Sequence, residues 1–469
     1  MAASSAPTAP GRLPFLGHAH HLARQPLLFM ESLREQGPLV RVFLGPTPTY
    51  VVTDPALTRK VLVTDAKDYP KGGSLIEGLR AFMGDGVGTI PDDQAHLSNR
   101  RLMQPMFNKA HIATRGEAMI RAARGLVGSW AEGVAQENVV DEMSELALRM
   151  FLAALFGADI PPHVQRELVR LVPLVFDGVG RYAVLPPWFT RLPLPVNTRH
   201  VRHMTRLREL IGEIIELNQG TNHVAPGCPH AASQEPGGLF STLLTAHHPQ
   251  TGPISQRQLQ DELITLLAGA IETSAIGTSW TLFELIRHPE VQQRVREEIT
   301  NVCGARPMRY EDLDHLPYSR RVLQEVIRLY GFGWLITRVT ARTVTLGGHV
   351  LPEGATVGYS PYLLQRDPAV FPEPDRFDPE RWTEERKTAA MRIAYVPFGA
   401  GRRNCIGENL AWAQLLITLG AIVQTWQQLD LVAPSPRPKA TIVVVPDHFS
   451  IIPRRRTSPT QDLPDEMGG

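Results

Sequence analysis

The stretch Phe398-Gly399-Ala400-Gly401-Arg402-Arg403-Asn404-Cys405-Ile406-Gly407 decides how the rest of the chain is read. A lone cysteine stands among glycines, two residues after Arg403 and just ahead of an apolar run. Gly399, Gly401 and Gly407 allow tight turns and the close approach of a flat ligand, because no Cβ stands in the way. Arg403 can supply positive charge to a thiolate or to an anionic group beside it. The pattern from Ile406 to Gln424 predicts a helix, which sets Cys405 near its N-terminus, where the dipole favours an anion. Each feature points to Cys405 as a thiolate that ligates a metal.

A second decisive stretch lies earlier. Ser255 with Gln258 is a capping-box signature that opens a helix running to about Arg287. At 1.5 Å per residue it would span about 48 Å, enough to cross the molecule. Its middle, Leu266-Leu267-Ala268-Gly269-Ala270-Ile271-Glu272-Thr273, is apolar almost all round and therefore buried. An acid followed by an alcohol in that setting can be a polar kink, with Thr273 bonding back to the carbonyl at Gly269. It can also be a pair that moves protons.

The pattern Phe-x-x-Gly-x-Arg-x-Cys-x-Gly resembles that of the cytochrome P-450 family, the heme-thiolate monooxygenases, in its soluble bacterial form. The resemblance implies a mostly α fold with small β-sheets in one large domain. Heme b (iron protoporphyrin IX) is then expected between the long central helix and the cysteine-loop helix. Cys405 would be its axial ligand, with Phe398, Gly399 and Gly407 shaping the loop against it. Gly269, Glu272 and Thr273 resemble the family's oxygen-activation motif, in which the alcohol holds dioxygen and water and the acid relays protons. Ala270 stands where a second glycine is common, which narrows the groove slightly.

Two further motifs fall in the family's order. Glu325 and Arg328 share one helix face at i, i+3. Alone, such a pair describes a solvated contact worth a few tenths of a kcal/mol. Phe377-Asp378-Pro379-Glu380-Arg381 follows about fifty residues on and is similar to the family's Phe-x-Pro-x-Arg segment. The resemblance makes Glu325, Arg328 and Arg381 a structural network that locks the loop ahead of the cysteine. His96 and Arg100 lie one helical turn apart, and with Arg338 and Arg403 they match the family's anchors for the heme propionates. Arginine pairs bidentately with carboxylate, so the chemistry is sound.

Around this core the chain of 469 residues shows no linker, so one domain is expected over 11–453, with flexible ends at 1–10 and 454–469. Strands are predicted at Leu39 to Leu44 and Tyr50 to Thr53, a loop over Gly72 to Asp92, and helices from Gln94 to about Ile215 broken at Pro161-Pro162 and Pro186-Pro187. His223, Cys228 and His230 complete no four-ligand zinc pattern and read as part of a surface loop. A net charge of +1 gives no electrostatic case for nucleic acid. Three cysteines cannot form a disulfide framework and suit a reducing compartment. No transmembrane run or membrane anchor is apparent, so a cytoplasmic monomer is expected.

The distal pocket is expected to draw on Leu75, Ile76, Phe82, Phe176, Leu266, Ala270, Phe332, Trp334 and Phe449. Such a lining suits an apolar ligand with few polar handles; the run around Trp334 and the Leu346-to-Trp382 block resemble bacterial members of the family that act on terpenes and polyketides, which implies an apolar natural product of secondary metabolism. Electrons would come from NAD(P)H through an acidic ferredoxin-type partner, docking at a basic patch of Arg101, Arg402 and Arg403. Hydroxylation is the leading outcome. Ring formation, desaturation or coupling by the same fold is a second, and a non-catalytic heme sensor a third. The Glu272-Thr273 pair argues against the sensor, which needs no proton relay.

Overall fold

Buried positions in the first half of the chain follow helical spacing, and helices dominate the computed structural model, which describes residues 5–44, 47–92, 94–155, 160–184, 192–221, 243, 247–248, 252–331, 333–432, 434–441 and 443–455. The central helix runs Gln256–Arg287, and Ser255 Oγ accepts the Gln258 amide at 3.2 Å as its N-cap. The other half of the predicted capping box is missing, because the Gln258 side chain reaches across to Asn99 at 3.4 Å. The helix packs most extensively against Val139–Leu155, whose own face is buried along nearly its whole length. The cysteine helix begins at Glu408 and ends at Thr425. Cys405 therefore lies in the turn ahead of this helix, not in its first turn.

A four-stranded sheet flanks the helices. Leu39–Leu44 runs antiparallel to Thr47–Val52, which pairs in parallel with Thr356–Tyr359, and that strand takes Ile336–Val339 antiparallel. The expected hairpin is present, its second strand starting three residues earlier than read. The loop expected over Gly72 to Asp92 contains a ten-residue helix, Ser74–Met83. Its glycines lie at the ends, Gly73 at φ +95° and Gly84 at φ +72°, where they start and stop the helix instead of preventing it. At the other end of the chain order, Pro7 to Ala9 is tied to the sheet: the Ala9 amide donates to the Arg41 carbonyl at 3.0 Å and the Arg41 amide to Pro7 at 2.8 Å. That stretch had been assigned to a flexible end.

Pro162 opens a helix running to Val184, as expected after a proline break, and the next runs Pro195–Thr221. The break at Pro186-Pro187, the His223, Cys228 and His230 loop and the tail from 456 onward fall outside the described residues. Among the described residues no helix is long and apolar enough to cross a membrane, and no cluster of three or more His, Cys, Asp or Glu is poised for a metal ion.

The predicted ion network is assembled and fully buried. Glu325, on helix Pro317–Tyr330, accepts Arg328 Nε and Nη2 at 2.8 Å each, Arg381 Nε at 3.3 Å, Trp382 Nε1 at 2.9 Å and the Asp378 amide at 3.1 Å. Arg328 also donates to the carbonyls of Gln365 and Pro374, and Arg381 to those of Pro372 and Glu373. Gln365 then accepts the Val396 amide at 3.2 Å, which carries the bracing to the segment entering the cysteine loop. Glu325→Ala leaves two buried guanidiniums without their carboxylate and should cost about 3–5 kcal/mol in urea unfolding. Trp382→Phe removes one hydrogen bond to a charge and should cost about 1.5–3 kcal/mol in the same measurement.

Candidate active site

The cysteine loop is shaped by two glycines that nothing else could replace. Gly399 and Gly401 sit at φ +69° and +68°, and a Cβ on Gly401 would stand 2.1 Å from the Leu62 carbonyl oxygen. Gly407 makes no such demand; a Cβ there would meet Cys405 Sγ at an ordinary 3.8 Å. The turn closes with the Cys405 amide donating to the Phe398 carbonyl at 2.8 Å. Cys405 Sγ faces a cavity of about 330 Å³ between this loop and the central helix. Leu266, Gly269, Ala270 and Thr273 line the helix side, and Phe398, Gly399 and Gly407 the loop side.

Cys405 is open to this cavity yet enclosed by protein. Burial pushes its thiol up, against the Gly407 amide and the charges of Arg100 and Lys71, which act the other way. A metal ion that replaces the proton supplies what the neighbours do not. The guanidinium of Arg403 is taken up by other partners. It forms an ion pair with Asp92 and donates to the carbonyls of Val87 at 3.0 Å and Ile90 at 2.6 Å.

Positive charge crowds one edge of the cavity. Lys71, Arg100, Arg338 and Arg403 line it with His96, and no Asp or Glu is among the described lining residues. Arg100 donates to the Asn404 carbonyl at 2.8 Å and side-chain oxygen at 2.7 Å, bracing the residue before the cysteine. Burial, and then Arg338 and Arg403, bring Lys71 down to about 7. Burial, and then Arg403, bring His96 down to about 4. Burial alone would push Asp92 up, but Arg403 and the Lys71 amide keep it below the usual carboxylate range. One carboxylate against this set leaves cations in excess. A flat ligand with two carboxylates at that edge and a metal over Cys405 fits the donor set, and heme b has that form.

Of the acid–alcohol pair, Thr273 but not Glu272 is among the described residues that line the cavity. Thr273 Oγ1 donates to the Gly269 carbonyl at 2.6 Å, the kink bond, and Thr273 also lines the cavity. Glu272 makes no hydrogen bond or ion pair among the described residues, and burial alone pushes its carboxyl up to about 8.

The segment 85–90, which contributes Val87 and Gly88 to the cavity lining, is held by its backbone. The Val87 amide donates to Glu262 Oε2 at 2.7 Å, while Glu262 Oε1 accepts Asn99 Nδ2 at 2.7 Å. The Asp85 amide donates to Asp261 at 3.1 Å, and Arg208 of the helix Pro195–Thr221 binds the same carboxylate at 2.7 Å. A Cβ on Gly86 would stand 2.1 Å from Thr265 Oγ1, so the segment lies directly on the central helix.

A family model for Cytochrome P450 matches residues 7–452. The chain belongs to the cytochrome P450 family. Cyclooctatin synthase of Streptomyces melanosporofaciens is 36% identical over 96% of this chain and 95% of its own length. Cyclooctat-9-en-7-ol 5-monooxygenase of the same organism is 35% identical, covering 90% of this chain and 89% of that one. Pentalenene oxygenase of Streptomyces avermitilis is 32% identical over 90% of each. The crystal structure of the cytochrome P450DA heme domain superposes with TM-score 0.82 at 24% identity, covering 97% of this chain and 98% of that one, a likeness of fold. This P450 is a monooxygenase that uses heme with a cysteine thiolate ligand and electrons from a redox partner.

Of the expected pocket residues, Leu266 and Ala270 line the cavity of this P450. Leu75, Ile76, Trp334 and Phe449 are not among its described lining residues. Trp334 Nε1 donates to the Thr441 carbonyl at 2.6 Å and packs against the N-terminal cluster, and Phe449 is buried edge-on to Phe283. Phe332 and the side chains of Phe82 and Phe176 fall outside the described residues.

Sequence reasoning missed Lys71, Ser274 and Gln414, all of which line the cavity; Val87 and Gly88 lie in the Gly72 to Thr89 segment expected to line it. Gln414 left a signal: it is a polar residue inside an apolar helix, and it accepts Ser274 Oγ at 2.7 Å while donating to the Ala147 carbonyl at 3.1 Å.

The Glu272 carboxyl sets a pH dependence. Its folded value is raised above the ordinary 4.5, so its contribution is intact below about 4.5 and declines as pH rises through about 8. Glu272→Gln should therefore gain stability over the parent as pH goes from 5 to 8. The urea midpoints of the two proteins should nearly coincide at pH 5 and separate at pH 8.

Proposed function

We propose that this P450 hydroxylates an apolar terpene-class natural product, with Cys405 as the axial thiolate and the Glu272–Thr273 pair serving proton delivery. The observation that carries the reading is one cavity bringing together Cys405, an uncompensated cationic edge and Thr273. The printed activities of the Streptomyces relatives support the substrate class. Heme, when bound, activates dioxygen with two electrons and inserts one oxygen atom into a C–H bond. The chain's own residues do the rest.

Lys71, His96, Arg100 and Arg338 would hold the propionates. Arg403, the other expected anchor, is spent largely on Asp92 and two carbonyls. Thr273 has its proton committed to the Gly269 carbonyl, so its oxygen can accept a hydrogen bond from water in the cavity. Glu272, raised to about 8, keeps its proton at neutral pH and can act as the local donor. Val87, Leu266, Ala270 and Ile336 give the substrate an apolar wall, and the Ala270 methyl restricts its height.

Arg101 and Arg402 are exposed, which supports docking of an acidic ferredoxin on the cysteine face. Arg403 is withdrawn from that patch by its burial and its ion pair with Asp92. The unpaired thiol of Cys303 suits a reducing cytoplasm, and we take the working unit to be a monomer.

The reduced protein exposed to carbon monoxide should give the strongly red-shifted Soret band of thiolate-ligated heme, and Cys405→His should give a conventional one. A parent protein with the conventional band would refute the thiolate assignment. Polycyclic terpene hydrocarbons and alcohols should shift the Soret band of the oxidised enzyme at micromolar concentration, and labelled dioxygen should appear as one oxygen atom in the product. Product without label would move the reading to desaturation or coupling. Thr273→Ala should keep heme and substrate shifts while the share of reducing equivalents lost as peroxide rises several-fold. Ferredoxin-dependent reduction should slow about tenfold or more between 50 and 500 mM salt, as expected for steered docking.

A further inference from the structure

Near the N-terminus a short loop holds apolar side chains out into solvent. Leu13 and Gly17 exchange backbone hydrogen bonds of 2.9 Å in both directions, closing a loop with Pro14, Phe15 and Leu16 at its tip. Gly17 cannot be replaced there, since a Cβ would stand 2.2 Å from the Phe43 carbonyl oxygen. Phe15 is 97% exposed, Leu16 57% and Leu13 42%, and Leu28 on the helix Pro26–Ser32 is 60% exposed. No other exposed large apolar side chain among the described residues exceeds 60%. Phe15 also has φ +60°, a conformation that bulky side chains avoid. A tip left over from poor packing would relax inward. This one is fixed by paired backbone bonds and pointed outward.

Leu28 belongs to the same unit, because its neighbour Phe29 stacks on both His18 and His21. The charge around the tip has one sign. No Asp or Glu occurs before Glu31, while Arg12, Arg24, His20 and His21 do. Arg12 lies over the Phe43 ring at 3.7 Å with Arg41 at 6.0 Å on the adjoining strand, and no carboxylate pairs with Arg12, Arg24 or Arg41 among the described residues.

Four apolar side chains on a narrow tip are too few for a protein interface, which covers about 800 Å² on each partner. Apolar side chains inserted below a basic rim are the arrangement that binds the boundary of an anionic bilayer. We propose that the Leu13–Gly17 loop, with Leu28 and the uncompensated arginines, is a reversible contact site for anionic lipid surfaces. The site is separate from the cavity at Cys405, and it does not depend on which substrate is oxidised. It sets where the enzyme works: at a surface in which apolar compounds collect.

The test is flotation of the full-length holoenzyme with vesicles of equal parts phosphatidylglycerol and phosphatidylcholine. Wild-type protein should float with them, and pure phosphatidylcholine vesicles should carry at least threefold less. A Phe15→Ser, Leu16→Ser double variant should lose at least fivefold of the bound fraction, with its carbon monoxide spectrum and thermal midpoint unchanged. A Phe15→Trp variant should show blue-shifted emission when the anionic vesicles are added. Absence of wild-type flotation, or equal flotation by the double variant, would overturn the proposal. So would a protein dimer in sedimentation that the double variant abolishes while vesicle binding stays the same, since the tip would then be a protein contact.

Discussion

One carboxylate braces the helix Pro317–Tyr330, the segment 372–382 and the approach to the cysteine loop. Glu325 accepts five hydrogen bonds from four residues that lie three to fifty-seven positions away along the chain, and it has no exposed surface. A buried charge is tolerable only when its partners come from a structure already in place. The helix Pro317–Tyr330, the segment 372–382 and the approach to the cysteine loop therefore stand or fall together. Their stability is collective, and the position of Cys405 inherits it through Gln365 and Val396.

The cavity edge shows the opposite case. There cations are gathered without matching acids, and the strain is visible in Lys71 brought down to about 7 and His96 to about 4. The protein contains a charge imbalance that a dianionic ligand corrects. Cofactor binding and local folding are consequently linked. The edge should be least ordered when the carboxylates are missing, whereas the Glu325 network needs nothing from outside.

What the sequence disclosed and what it hid divide along physical lines. The placing of Cys405 and Thr273 at the cavity and of Glu325, Arg328 and Arg381 in one network was legible because each sits in a fixed local spacing. Lys71, Glu262 and Gln414 were not, since their roles arise from contacts across more than a hundred residues: Lys71 against Arg338, Glu262 against Val87, Gln414 against Ser274 and Ala147. The helix Ser74–Met83 was hidden by glycines that turned out to be its boundaries. Trp334 and Phe449 were assigned to the pocket on side-chain type, which does not distinguish a cavity wall from a packed core. The cysteine helix starts at Glu408, two residues later than read, so Cys405 stands three residues ahead of it.

The segment 85–90, which contributes to the cavity wall, is fixed through its main chain: Val87 by its amide and its carbonyl, Asp85 by its amide, Ile90 by its carbonyl. None of these bonds uses the Val87 side chain, and Val87 belongs to the cavity lining. The path of the wall and the chemistry of its surface are thus encoded separately. Substitutions at position 87 can reshape what the pocket accepts while the scaffold keeps its course, and a lineage of such enzymes can diversify its substrates there without having to refold the wall each time.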